Sequence, residues 1–152
     1  MPALPSSAAE AGPLPPAGFA RRLASMLYES LLLLGVLSLT FLVPYVVIGY
    51  AWGVSVHGAI EWLHLFLVTG AYFVWFWRKA GQTLAMQTWR VRLDGANGGR
   101  VTLRQALLRY ALCWPSVLGL FGLLWALVDR DRQFLHDRLA GSRLVLVPPA
   151  KR

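Results

Sequence analysis

The sequence predicts an all-α membrane bundle of two transmembrane helices and a third apolar segment, carrying a small two-stranded β element on its cytoplasmic side. Three observations carry this. Of the 152 residues, 57% are hydrophobic and only 14% charged, a balance too apolar for a soluble domain of this length. Two runs of about twenty residues or more are long enough to cross a hydrocarbon core. The basic residues flank those runs instead of interrupting them.

The first seventeen residues, MPALPSSAAEAGPLPPA, are rich in Pro, Ala and Ser and have neither a basic start nor an apolar stretch of their own. They read as a disordered tail, followed by a membrane domain over 18–147 and a short tail over 148–152. The first span runs from Leu23 to Gly49. It is about 27 residues, or roughly 40 Å of helix, and so exceeds a ~30 Å core and has room to tilt. Pro44 is placed to kink its far end. The second span runs from Ala59 to Trp77 and closes on YFVWFWRK, an aromatic girdle followed by two cations, which is an interfacial anchor. Arg21 and Arg22 precede the first span, and Arg78, Lys79, Arg90, Arg92, Arg100 and Arg104 follow the second, while AWGVSVHG between them carries no Lys or Arg. The positive-inside rule puts the N-terminus in the cytoplasm.

The third apolar segment, Leu103 to Val128, has two readings. A single full crossing would export Arg130, Arg132, Arg138, Arg143, Lys151 and Arg152, against the same rule. Alternatively Pro115, Gly119 and Gly122 in CWPSVLGLFG divide the segment into two half-helices, a re-entrant hairpin that returns the chain to the cytoplasm. The alternating stretches TWRVRLD (Thr88 to Asp94) and SRLVLV (Ser142 to Val147) are expected to be strands. They can pair only if both lie on one side of the bilayer, which favours the hairpin.

Four stretches carry a family likeness. RDRQFLHDRLAGSRLVLV, GQTLAMQTWRVRLD, TLRQALLRY and ARRLASMLYES together resemble the RDD family of bacterial membrane proteins, over about residues 18 to 147. The family is named for one arginine and two aspartates. The resemblance maps the arginine onto Arg22 and the first acid onto Glu29, so that an aspartate of the family is a glutamate here. The second acid falls on either Asp129 or Asp137, both of which lie in LVDRDRQFLHDRLAG. The resemblance implies several spans in the bacterial inner membrane and, for some members, transport of ions or solutes. It does not itself give a function.

The residues can also be read without the family. An acid at the depth of Glu29 costs roughly 2.5–3.5 kcal/mol on insertion scales and calls for a partner or a use. Arg22 lies two turns away on the same face, roughly 10.5 Å along the axis, too far for a direct pair. Arg109, six residues into the third segment, is the expected partner. Two roles stand for this pair: pinning one helix to another, or handling a transported cation or proton. A chain of this size can hardly enclose a pathway alone, so a homo-oligomer is expected. The rival function is a non-transporting accessory module that binds anionic headgroups or a partner protein through its basic face.

Other features point to packing. His57, Glu61 and His64 share a helical face, but the outer loop offers no further ligand, so no metal is expected. Cys113 is alone and reads as packing. There is no nucleophile elbow, phosphate loop or dinucleotide fingerprint, hence no enzyme activity, catalytic residue or cofactor is expected. The net charge of +8 comes without a nucleic-acid-binding motif and is assigned to anionic lipid headgroups.

Overall fold

The computed structural model describes residues 14–54, 58–119, 121–129 and 133–149. Helix α1, Phe19–Leu37, passes through a π-helical turn at Ser38–Leu42 into α2, Val43–Trp52, so that one helix of 34 residues runs from Phe19 to Trp52. The π turn has a local cause. Pro44 has no amide hydrogen and its ring crowds the carbonyl four residues back, and a wider turn relieves this. The Val43 amide accordingly donates to the Ser38 carbonyl, five residues back. Ser38 and Thr40 donate their hydroxyls to the Leu34 and Val36 carbonyls at 2.8 and 2.7 Å, which satisfies them inside the helix. Gly53, at φ 62°, ends α2 in the left-handed conformation.

Helix α3, Gly58–Lys79, is the second helix long and apolar enough to cross a membrane. Arg78 and Lys79 occupy its last turn, where the helix dipole favours cations. The burial pattern of the long helices is inverted relative to a soluble bundle. In α1 the buried residues are Arg22, Ser25 and Glu29, whereas Leu27, Leu31 and Leu34 are 63, 66 and 66% exposed. So large an apolar exterior is the mark of a surface that lipid or another protein chain covers.

After α3 come α4 (Leu84–Thr88), β1 (Val91–Gly95), α5 (Leu103–Leu118), α6 (Phe121–Val128), α7 (Leu135–Leu139) and β2 (Ser142–Leu146). Helix α5 opens with a reciprocal cap, the Thr102 side chain accepting from the Gln105 amide and the Gln105 side chain accepting from the Thr102 amide. At 16 residues it spans roughly 24 Å, short of a ~30 Å core. The chain turns after it and α6 packs back on it. A Cβ on Gly122 would sit 1.5 Å from Ser116 Oγ, so the two short helices touch at backbone distance. The third segment is therefore two half-helices. Their break falls after Leu118, while Pro115, expected among the breakers, stays inside α5.

Strands β1 and β2 pair antiparallel, from Val91 opposite Leu146 to Gly95 opposite Ser142. The two expected strands thus form one sheet on one side of the bundle, although Thr88 belongs to α4. Pro15 to Ala17 run along the other edge of β2. The Ala17 amide donates to the Leu144 carbonyl at 2.9 Å, and the Leu146 amide to the Pro15 carbonyl at 2.8 Å. Between the sheet and the sheet-side ends of α1, α3 and α5 lies the core, with Trp77, Met86, Val91, Leu93, Tyr110 and Phe134 at its centre. Tyr110 ties α5 to α3. Its hydroxyl donates to the Phe66 carbonyl at 2.7 Å and lies 2.6 Å from the Thr69 hydroxyl, an approach open because Gly70 presents no side chain to its ring.

Candidate functional site

The buried stripe of α1 leads to two separate polar clusters. The first belongs to Glu29. Its carboxylate accepts from the Tyr72 hydroxyl at 2.7 Å and, through its other oxygen, from the Thr83 hydroxyl. Thr83 is the N-cap of α4, and its oxygen accepts from the Met86 amide at 3.2 Å. Among the described residues no cation lies within ion-pair distance of Glu29. The expected pairing of Glu29 with Arg109 is therefore corrected: hydroxyls from α3 and from the cap of α4 meet the acid before any guanidinium does.

Arg109 belongs to the second cluster. Its Nη2 lies 2.8 Å from Oδ1 of Asp137, and its guanidinium sits 4.5 Å from the Trp77 ring centroid. Asp137 is fully buried, carried under α5 by the short helix α7. Arg22, also buried, donates to the Leu144 carbonyl at 3.4 Å and lies 6.0 Å from the Phe134 ring centroid. It stands in the combined field of Asp137, Arg109 and Asp129. Asp129 stands apart. It pairs with Arg138, whose side chain is 54% exposed, and accepts from the Gln133 amide at 3.0 Å. Of the two candidate acids, both bear on Arg22 but only Asp137 pairs with Arg109.

His136 completes this cluster. Its Nδ1 is 3.0 Å from Ser116 Oγ, its Nε2 is 3.7 Å from Asp137 Oδ1, and its ring stacks on Phe134 at 5.5 Å. Burial pushes its pKa down to about 4, Asp137 pulling against this and Arg109 adding to it, so the ring is neutral at pH 7. The serine, histidine and aspartate stand in line, and with Gly122 packed against Ser116 they tie α5 to α6 and α7.

A cavity of about 400 Å³ opens between α1, α3 and α5. Arg22, Arg109 and His136 line the end near the sheet, Leu37, Leu65 and Leu118 the opposite end, and Glu29 the wall between. At the far end of the long helices His64 Nδ1 lies 3.2 Å from the Tyr45 hydroxyl, with Phe41 beside both rings. His57 lies outside the described residues. Among the described residues, no three His, Cys, Asp or Glu side chains gather as metal ligands. Cys113 is half-buried on the cavity wall.

Sequence reasoning missed Tyr72, Thr83 and Ser116. Thr83 carried a signal, a threonine just before the helical LAMQT, which is a cap position. Tyr72 was hidden in an aromatic run that reads equally well as an interfacial belt.

A helical bundle with leucines outside, Arg22, Glu29, Arg109 and Asp137 buried inside, and two helices long and apolar enough to cross a membrane defines the class. The RDD family profile matches residues 16–141, and the chain belongs to the RDD family. It is similar to an uncharacterized protein of Rickettsia prowazekii (strain Madrid E), 32% identical over 80 residues, which cover 52% of this chain and 44% of that one. The chain thus spans less than half the length of that relative. No solved structure matches.

Proposed function

We propose that this protein is a multi-pass protein of the bacterial inner membrane, acting as a homo-oligomer in ion or small-solute transport, in which Glu29 takes up and releases a proton or small cation. One observation carries this: a buried carboxylate on a candidate spanning helix borders a cavity and is held by two hydroxyls instead of a cation. An acid fixed by an arginine is locked in its charged form, whereas one held by hydroxyls can exchange a proton or a cation against the same scaffold. Tyr72 and Thr83 orient the carboxylate, and Thr83 links its state to the position of α4. Both termini lie on the cytoplasmic side in this reading, because the basic residues cluster there and the helices of the third segment fold back.

The test is flux in liposomes under imposed proton and monovalent cation gradients. Wild-type flux is expected to be kept in Glu29→Asp and lost in Glu29→Gln, with both variants melting within a few degrees of wild type. No flux under any gradient, or full flux in a folded Glu29→Gln protein, overturns the reading. The second reading, an accessory module that binds anionic lipid, is favoured by the basic pocket beside the sheet described next.

A further inference from the structure

Beside β1 is a second and chemically opposite cavity of about 230 Å³. Its walls are polar, and three basic residues line it: Lys79 from the end of α3, Arg92 from β1 and Arg100 from the loop after β1. The one acid on its wall, Asp94, is already engaged. Arg92 grips it with two parallel hydrogen bonds, Nε to Oδ1 at 2.7 Å and Nη2 to Oδ2 at 2.8 Å, so Asp94 orients Arg92 and leaves Nη1 for another acceptor. The carboxylate raises the pKa of Arg92 further through that bond. Among the described residues neither Lys79 nor Arg100 has an acid within ion-pair distance.

The pocket is shaped by glycines. Gly81, at φ 69°, offers its carbonyl to the Leu93 amide at 2.7 Å, and a side chain there would meet the stem of Arg92 at 3.1 Å. Gly98, at φ 80°, and Gly99 form the opposite rim without side chains. The position is as specific as the charge. Lys79 is the last residue of α3 and its ammonium lies 5.2 Å from the Trp75 ring centroid. The cavity thus begins where a candidate span passes from its aromatic girdle into its basic end, which is the depth of lipid headgroups.

We infer that this pocket binds the phosphate of an anionic phospholipid, with Lys79, Arg92 and Arg100 around the phosphate and the acyl chains lying against α3. A phosphate oxygen set suits one guanidinium already fixed in orientation and two mobile cations better than a carboxylate does. The site rests on the membrane reading above, but not on any role of Glu29 in transport.

The experiment uses the full chain in phosphatidylcholine nanodiscs containing a few per cent of spin-labelled phosphatidylglycerol or spin-labelled phosphatidylcholine. The immobilised fraction of each label gives a selectivity ratio. Wild type is expected to prefer phosphatidylglycerol. Lys79→Gln and Arg100→Gln are each expected to reduce the preference about five-fold, the effect of one basic residue at a charged surface. Arg78→Gln and Arg104→Gln, whose side chains are exposed outside the pocket, should leave it within about two-fold. Equal losses in all four variants would mean diffuse attraction and overturn the site. Full displacement of the labelled lipid by millimolar glycerol phosphate would mean a site for soluble phosphate and overturn the lipid assignment. Flux through Glu29 is read in the separate assay above, so the two conclusions fail independently.

Discussion

Thr83 donates its hydroxyl to Glu29 and accepts the Met86 amide on the same oxygen, so one small side chain both holds a buried acid and starts a helix. Losing it removes a hydrogen bond to a charged group and a helix cap together. Thr83→Val is therefore expected to cost about 2–4 kcal/mol in detergent stability. Thr83→Ser, which keeps the oxygen, should stay within about 1 kcal/mol of wild type. Thermal or denaturant unfolding of both variants checks this.

The separation of the two polar clusters can be measured as energy. A double-mutant cycle between Glu29→Gln and Arg109→Gln should be additive within about 0.5 kcal/mol. Arg109→Gln with Asp137→Asn should couple strongly, because breaking one partner of a buried pair costs about 3–5 kcal/mol and removing the second recovers part of it. A large coupling between Glu29 and Arg109 would contradict the geometry. Asp129→Asn removes the charge of a side chain only 4% exposed but whose partner Arg138 is 54% exposed, and should cost less than Asp137→Asn, whose partner is buried as well.

The closure of α6 on α5 hangs on one glycine. With Gly122 as alanine, the new methyl would overlap Ser116, and the turn must open. Gly122→Ala is expected to lower stability by several times the ~1 kcal/mol typical of a point change. Ser116→Gly in the same protein should return part of it. An unfolding series on the two single variants and the double variant decides the matter.

His136 should make stability depend on pH. Its folded pKa, about 4, lies below the ordinary value of 6.5, so below pH 6.5 the unfolded chain binds more protons than the folded one. The stabilisation is fully present above pH 6.5 and is lost as pH falls from there toward 4. The size is on the order of 3 kcal/mol. His136→Gln should flatten that part of the stability curve relative to wild type, with Ser116 still offered a polar partner.

Much of the fold was legible because it is written in hydrophobicity and in glycine. The spans, the aromatic girdle before Arg78, the broken third segment and the two alternating strands all follow from local pattern. The family likeness, confirmed over residues 16–141, added Arg22 and Glu29. The partner of Glu29 was not legible. Its hydroxyl donors lie 43 and 54 residues away, and a tyrosine in an aromatic run or a threonine before a helix says nothing about which acid it meets. Charge alone was visible, so the sequence pointed to Arg109, another charge that needs a partner at depth. The true partner of Arg109, Asp137, is delivered by α7, a helix of five residues whose placement depends on the α5–α6 turn. Asp137 and Asp129 differ little in sequence context, and what separates them is the partner, the buried Arg109 for one and the exposed Arg138 for the other.

The strip of chain at Pro15–Ala17 lies against β2, a strand made after both long helices. Synthesis runs from the N-terminus, so both long helices are complete while their sheet-side cover is still missing. Until Ser142–Leu146 emerges, the Leu144 carbonyl that Arg22 binds does not exist and Asp137 has no finished helix behind it. Maturation of this protein therefore has an order: the two long helices come first, and the polar interior is sealed only when β2 slots between β1 and the waiting start of the chain. A nascent chain stalled before residue 142 should leave its sheet-side interior open to protease and to thiol reagents, while the finished protein keeps it shut.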